Sequence, residues 1–214
     1  MKNDEPFYFC WMTKINESAL SHLRKDKILR KIIDSTPLFP RVKKESIYHS
    51  LLGSIVSQQL STKAAATIHQ RFLDLYDGKP HPKLVIDTQH DALRAVGLSN
   101  QKAQYVKNVA TFFLDKPMDR KYWNKLDDDA IIQELSSIKG IGKWTVQMTL
   151  MFTLDRPNVF PIDDLIIRNS VIHYYGIDAK APDLIQQLHK VADKWMPYRS
   201  YACYYFWAAK DNLK

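Results

Sequence analysis

Asp163 and Asp164 stand side by side after the apolar loop Val159-Phe160-Pro161-Ile162 and before the run Leu165-Ile166-Ile167-Arg168. A carboxylate held there away from bulk water could stabilise positive charge that develops in a transition state, or orient an attacking water. The same pair reads better as a helix start, because aspartate accepts hydrogen bonds from first-turn N–H groups and favours the positive end of the helix dipole. From local sequence alone both residues are caps. A second group is Lys139-Gly140-Ile141-Gly142-Lys143-Trp144-Thr145. Glycines let the chain reverse between two helices and let backbone N–H groups come close to a ligand, while a helix N-terminus and two lysines add positive potential. That combination suits a phosphate; a purely geometric helix–helix turn could use the same glycines. The seven histidines show no His-Glu-x-x-His or other metal spacing. Cys10 and Cys203 are too few for a disulfide framework, a four-cysteine zinc site or a four-cysteine iron–sulfur cluster. No catalytic metal is expected.

The elements that must position these residues read as helices. Ile47, Leu51, Leu52, Ile55 and Val56 fall on one helical face. So do Ala103, Val106, Val109, Ala110 and Phe113, and again Leu184, Ile185, Leu188, Val191, Ala192 and Trp195 after Pro182-Asp183. Trp144 to Leu154 is apolar nearly all round, which predicts a central buried helix. Convincing period-2 alternation is absent. Only six glycines occur, against about 15 at average usage of about 7%, and that scarcity disfavours many-turned β folds. Breaks fall at Thr36-Pro37-Leu38-Phe39-Pro40, at Asp77-Gly78-Lys79-Pro80-His81-Pro82, and at Asp155–Pro161, where each proline favours extended backbone before it. Hydrophobic residues at 45% and charged residues at 25% are globular values, and the net charge is +8. No apolar run approaches a membrane span, and the polar start Met1-Lys2-Asn3-Asp4-Glu5 is unlike a secretory leader. An intracellular, basic, all-α protein is the expectation.

The stretch Leu135 to Thr145 resembles the hairpin of the helix-hairpin-helix superfamily of DNA glycosylases, with Lys139 in place of the usual proline. Val159-Phe160-Pro161-Ile162-Asp163-Asp164 resembles the loop and catalytic aspartate of that superfamily. Three further stretches are similar to the alkylbase branch, 3-methyladenine DNA glycosylase II: Ile55-Val56-Ser57-Gln58-Gln59-Leu60-Ser61, then Gly97-Leu98-Ser99-x₂-Lys102-Ala103-x-Tyr105, then Trp195-Met196-Pro197-Tyr198-Arg199-Ser200-Tyr201-Ala202. They span residues 55 to 202 in the family's order, and the chain resembles the short form without an extra N-terminal domain.

This resemblance implies two all-α lobes, residues 42–158 and residues 1–41 with 159–214, with the site in the cleft between them. It implies that Asp164 is the catalytic carboxylate and leaves Asp163 to cap or support. Trp144, Trp207 and Met148 are implied for the base pocket, Met148 standing where some members carry tyrosine. Gln58, Gln59 and Leu60 match the turn that enters the minor groove, Gln59 being the expected plug. Lys139, Gly140, Gly142, Lys143 and Thr145 would meet phosphate, with Lys63 and Arg199 as further contacts. Bifunctional members place a nucleophilic lysine where this chain has Trp144, so excision without strand cleavage is implied. The family hairpin can hold a sodium or potassium ion on backbone carbonyls. The implied activity is hydrolytic excision of alkylated purines from damaged double-stranded DNA by a monomer. The competing expectations are a non-catalytic DNA-binding protein with the same hairpin, and a glycosylase for oxidised or mismatched bases.

Overall fold

The computed structural model describes residue 15 and residues 17–37 and 45–210. Among these residues every regular element is a helix. In chain order they are α1 (Glu17–Leu23), α2 (Lys27–Ser35), α3 (Ile47–Ser57), α4 (Thr62–Asp74), α5 (Pro82–Asp87), α6 (His90–Ala95) and α7 (Asn100–Phe112). Then follow α8 (Arg120–Trp123), α9 (Asp128–Ser136), α10 (Lys143–Phe152), α11 (Leu165–Tyr175), α12 (Leu184–Asp193) and α13 (Arg199–Ala208). Phe7, Tyr8, Phe9, Cys10 and Trp11 lie outside the described residues.

Two units divide the chain. The described part of the first is residues 45–149. Several of its helices start on side-chain caps: Ser46 on α3, Ser61 on α4, Ser99 on α7 and Asp127 on α9 each accept a first-turn N–H. The predicted face of α3 is the centre of the core, with Ile47, Leu51, Ile55 and Val56 all buried against neighbours that include α4 and α7. Val106, Val109 and Phe113 cover it from α7, and Tyr48 meets Phe113 at a ring separation of 5.5 Å.

The second unit joins α1 and α2 to residues 150–210. Asp26 links the two ends of the sequence: one carboxylate oxygen caps α2 through the N–H groups of Ile28 and Leu29, and the other accepts the Tyr175 hydroxyl of α11 at 2.7 Å. Trp195 is fully buried among Phe160, Tyr175 and Phe206.

Two local expectations change. The chain passes from one unit to the other inside α10, after Thr149, instead of in the loop near residue 158. The reason is visible at the end of α10, where Tyr204 donates its hydroxyl to the Met151 carbonyl and packs on Phe152, so the last turn belongs with α13. The segment from Asp155 to Pro161 is not uniformly extended: Asp155 has φ +57° and a turn occurs at Pro157-Asn158. At the start of α12, Asp183 makes no side-chain cap and its carboxylate accepts from the Gln187 amide at 2.8 Å.

Candidate active site

The loop after α10 delivers Asp164 to the first turn of α11. Asp164 is 8% exposed, with φ −72° and ψ 120°, the extended backbone of an N-cap residue. Its Oδ1 accepts the backbone N–H of Ile167 at 3.0 Å and the indole N–H of Trp207 at 3.0 Å. The cap therefore falls on Asp164, and Asp163, expected to cap, is exposed. A carboxylate fixed by a helix N-terminus and an indole is already oriented; such preorganised charge acts on a developing cation without first rearranging.

Trp207 is 7% exposed and belongs to a continuous aromatic surface. Its ring lies 5.5 Å from Phe152 and 6.1 Å from Tyr204, and Tyr204, Tyr201 and Tyr198 continue the row along α13 at separations of about 6 Å. Electron-rich ring faces of this kind attract cations. Burial pushes the Tyr201 hydroxyl pKa up, with Asp155 and Tyr198 adding to it. Cys203, also on α13, is fully buried; burial and then the nearby Asp164 charge hold its thiol well above the ordinary range, so it stays protonated and inert.

The loop carrying Asp164 is tied to the start of α13. Ser200 Oγ accepts the N–H of Val159 at 2.9 Å and donates to the Arg156 carbonyl at 2.7 Å, while the Ser200 N–H meets the Pro157 carbonyl at 2.9 Å. Arg199, expected on phosphate, is instead drawn into the fold: Nε donates to Asn158 Oδ1 at 2.9 Å, and a terminal nitrogen to the Asn158 carbonyl at 3.1 Å. This explains the chemistry of the Arg199-Ser200 pair. It holds the loop that carries Asp164.

In the first unit the hairpin joins α9 to α10. Gly140 has φ +108°, and a Cβ there would run into the Tyr105 ring of α7, so this glycine is demanded by backbone and space together. Gly142 differs. Its φ is not positive and a Cβ would meet nothing within 4 Å, so no contact inside the protein requires it. It is exposed and its carbonyl accepts the N–H of Val146, which puts it at the N-cap position of α10. The first-turn N–H groups that follow, at Lys143, Trp144 and Thr145, have no carbonyl within their own helix. Lys139 and Lys143 are exposed beside them. The Thr145 side chain is 4% exposed, so what it can offer an anion is its backbone N–H.

The tip after α3 is built beside the hairpin. Gln58 caps the C-terminus of α3, and its side-chain amide reaches the Gly140 carbonyl at 3.5 Å. Gln59 and Leu60 are exposed, and Gln59 has φ +57°. Lys102 donates to the carbonyls of Val56 at 2.9 Å and Gln58 at 2.6 Å. Burial lowers the pKa of this ammonium. Asn108, two turns along α7 from Gln101, donates to the Lys139 carbonyl at 3.0 Å.

The sequence-predicted residues thus fall into two groups. Asp164 and Trp207 touch directly in the second unit. Gln58, Gln59, Leu60, Lys139, Gly140, Gly142, Lys143 and Thr145 lie in the first, with Gln58 and Gly140 in contact. Trp144 and Met148 also belong to the first unit, one turn apart on α10; Trp144 is half-buried and Met148 5% exposed. Lys63 is exposed on the first turn of α4. The carbonyls of Lys139 and Gly140 already accept side-chain amides, and that of Ile138 accepts the Ile141 N–H. Each keeps a second lone pair that a hard monovalent cation could use. No cluster of three metal-ligating side chains occurs among the described residues, and no helix among them is long and apolar enough to cross a membrane. Lys102, Asn108, Asn158 and Ser200 are the residues that spacing alone did not single out. Their partners lie 31 to 46 positions away in sequence, so no local pattern marks them.

A glycine hairpin that leads into α10 and a capped, buried carboxylate beside aromatic rings, both carried on helices, are the features of a helix-hairpin-helix DNA glycosylase. Residues 52–194 match the HhH-GPD superfamily base excision DNA repair protein family, and the chain belongs to it. It is 31% identical over 207 residues to the putative DNA-3-methyladenine glycosylase YfjP of Bacillus subtilis, covering 93% of this chain and 70% of that one. It is 34% identical over 169 residues to DNA-3-methyladenine glycosylase 1 of Schizosaccharomyces pombe, covering 78% of this chain and 73% of the relative. The solved structure of the fission-yeast 3-methyladenine DNA glycosylase Mag1 with abasic DNA aligns with a TM-score of 0.75 at 31% identity, over 90% of this chain and 97% of that one.

Proposed function

We infer that this chain is an alkylbase DNA glycosylase that initiates base excision repair by hydrolysing the N-glycosidic bond of alkylated purines of the 3-methyladenine and 7-methylguanine type. The observation that carries this reading is the buried Asp164, held on Oδ1 by Ile167 and Trp207 at the edge of an aromatic surface.

Alkylation at a ring nitrogen leaves the purine positively charged, so the base departs readily and needs little acid assistance. As the C1′–N bond breaks, its electron pair neutralises the base and positive charge builds on the sugar. Asp164 stabilises that charge more in the transition state than in the ground state. Water then adds to C1′, and its proton passes to the carboxylate or to solvent. The Trp207 ring attracts the cationic base by about 0.5–2 kcal/mol. Trp144 and Met148 carry their base-pocket assignment from the family resemblance.

The target must leave the helical stack before any of this, since the bond is out of reach inside a duplex. Gln59 is the side chain that fills the gap. A residue other than glycine held at φ +57° costs about 1 kcal/mol at a position where helices usually place glycine. Spending that on an exposed glutamine is understandable where the side chain itself is needed. The first-turn N–H groups of α10 and the ammonium groups of Lys139 and Lys143 hold the phosphate backbone. A sodium or potassium ion on hairpin carbonyls would strengthen that grip and enters no chemical step. With Trp144 where a lysine nucleophile would stand, no Schiff base forms and the abasic strand stays intact. The protein works as a monomer on damaged double-stranded DNA inside the cell.

The test is direct. Methylated, oxidised and mismatched duplexes are incubated with the protein, and free base and strand breaks are measured before and after alkali. Release of methylpurine with breaks only after alkali supports this function. Release only from oxidised or mismatched duplexes moves the chain to another glycosylase class, and binding without release from any duplex makes it a non-catalytic reader.

A further inference from the structure

Three side chains on one face of α7, at successive offsets of three residues, reach the two elements that would meet DNA. Lys102 grips the C-terminal carbonyls of α3. The ring of Tyr105 fills the space beneath Gly140, and the Asn108 amide bonds the Lys139 carbonyl. One rigid helix therefore sets the spacing between the Gln58-Gln59-Leu60 tip and the hairpin.

Lys102 is the member of this set with most to hold. The last carbonyls of a helix have no partner within it, and they form the negative end of its dipole. A lysine ammonium from another helix, 44 and 46 residues away in sequence, satisfies two of them at once. The next residue is Gln59 in the left-handed region, a conformation a glutamine keeps only where its surroundings over-determine it. Leu60 adds one backbone bond, to the Ser57 carbonyl at 3.3 Å. Without the ammonium, the Gln58 carbonyl turns to water and the constraint on the peptide leading into Gln59 is lost.

We propose that Lys102 is a positioning residue for base extrusion: by locking the carbonyls of Val56 and Gln58 it aims Gln59 at the gap left by the departing nucleotide. The proposal rests on the reading of Gln59 as the plug. It predicts a defect confined to substrates in which the lesion must be extruded from a paired stack, because a lesion that is already unpaired needs no plug.

The experiment compares single-turnover excision of one 7-methylguanine paired with cytosine against the same lesion facing an abasic-site analogue. Lys102→Met lowers excision from the paired duplex by about tenfold and from the duplex with the abasic-site analogue by less than about twofold. Lys102→Arg, which keeps charge and donors, recovers most of the loss. Equal losses on both substrates, or no loss on the paired one, overturn the proposal. Where Lys102→Met does not fold, as judged by its melting curve, Lys102→Gln makes the same comparison. Gln59→Ala separates the two layers of the argument. If it leaves paired excision intact, the plug reading fails and takes this proposal with it. If Gln59→Ala is defective and Lys102→Met is not, the plug stands and the role of Lys102 alone is lost.

Discussion

The indole N–H of Trp207 points at Asp164 Oδ1 across 3.0 Å, and the same oxygen closes the first turn of α11 through Ile167. The candidate catalytic carboxylate is thus also a structural cap, and the two duties can be separated by chemistry. Asparagine caps helices as well as aspartate does, and its carbonyl can accept both hydrogen bonds. Asp164→Asn therefore keeps the melting temperature of the parent while losing the charge. Excision of methylpurines falls by about 10²–10³-fold, the usual loss for a preorganised electrostatic group. Wild-type rates of base release from this variant would remove Asp164 from the mechanism.

Trp207→Phe keeps a ring against Phe152 and Tyr204 and removes the donor to Asp164. Hydrogen bonds to charged groups are worth about 1.5–3 kcal/mol, so kcat drops by about ten- to a hundredfold while KM for the alkylated duplex changes little. A variant that raised KM and spared kcat would assign the indole to base binding alone.

The two hairpin glycines should fail in different ways. Gly140→Ala must distort a backbone at φ +108° and push away the Tyr105 ring, costing about 2–4 kcal/mol of stability in chemical denaturation. Gly142→Ala meets nothing inside the protein and costs at most about 1 kcal/mol as an N-cap change. Its effect appears on DNA, as about tenfold weaker binding with a shallower dependence on salt. If both variants melted alike and bound alike, the distinction between a folding glycine and a ligand-facing glycine would not hold.

That distinction also marks where sequence stops being informative. The helices were legible because each buries one face and periodicity exposes it: Ile47 to Val56 occupy the core as their spacing requires, as do Leu184, Leu188, Val191, Ala192 and Trp195, while Ile185, expected on the same face, is 46% exposed. Gly140 and Gly142 look identical in a string of letters, and only Tyr105, 35 positions earlier, tells them apart. Asp163 and Asp164 pose the same difficulty. Which of two adjacent aspartates caps α11 depends on how the loop from Asp155 enters the helix, and that is set by Ser200 and Arg199 about 40 residues downstream. Arg199 shows the converse. A basic residue in a basic protein suggests phosphate, yet the guanidinium is occupied by Asn158.

The strained tip offers the sharpest contrast between stability and function. Gln59 holds φ +57° at the position after the C-cap of α3, where glycine has no Cβ to clash with the following carbonyl. Glycine would relieve about 1 kcal/mol or more of backbone strain, offset by about 0.4–1 kcal/mol of extra freedom in the unfolded chain. Gln59→Gly therefore leaves the protein as stable as the parent or slightly more so in a thermal melt. The same substitution deletes the side chain that would occupy the vacated stack. Extrusion then loses its support, and excision from a fully paired methylated duplex falls while binding to undamaged duplex, carried by the hairpin, stays close to the parent's. A protein optimised only for folding would already have glycine at this position. A Gln59→Gly variant that melted lower and excised normally would mean that the glutamine serves the fold, and the plug would have to be sought at Leu60, the other exposed side chain of the tip.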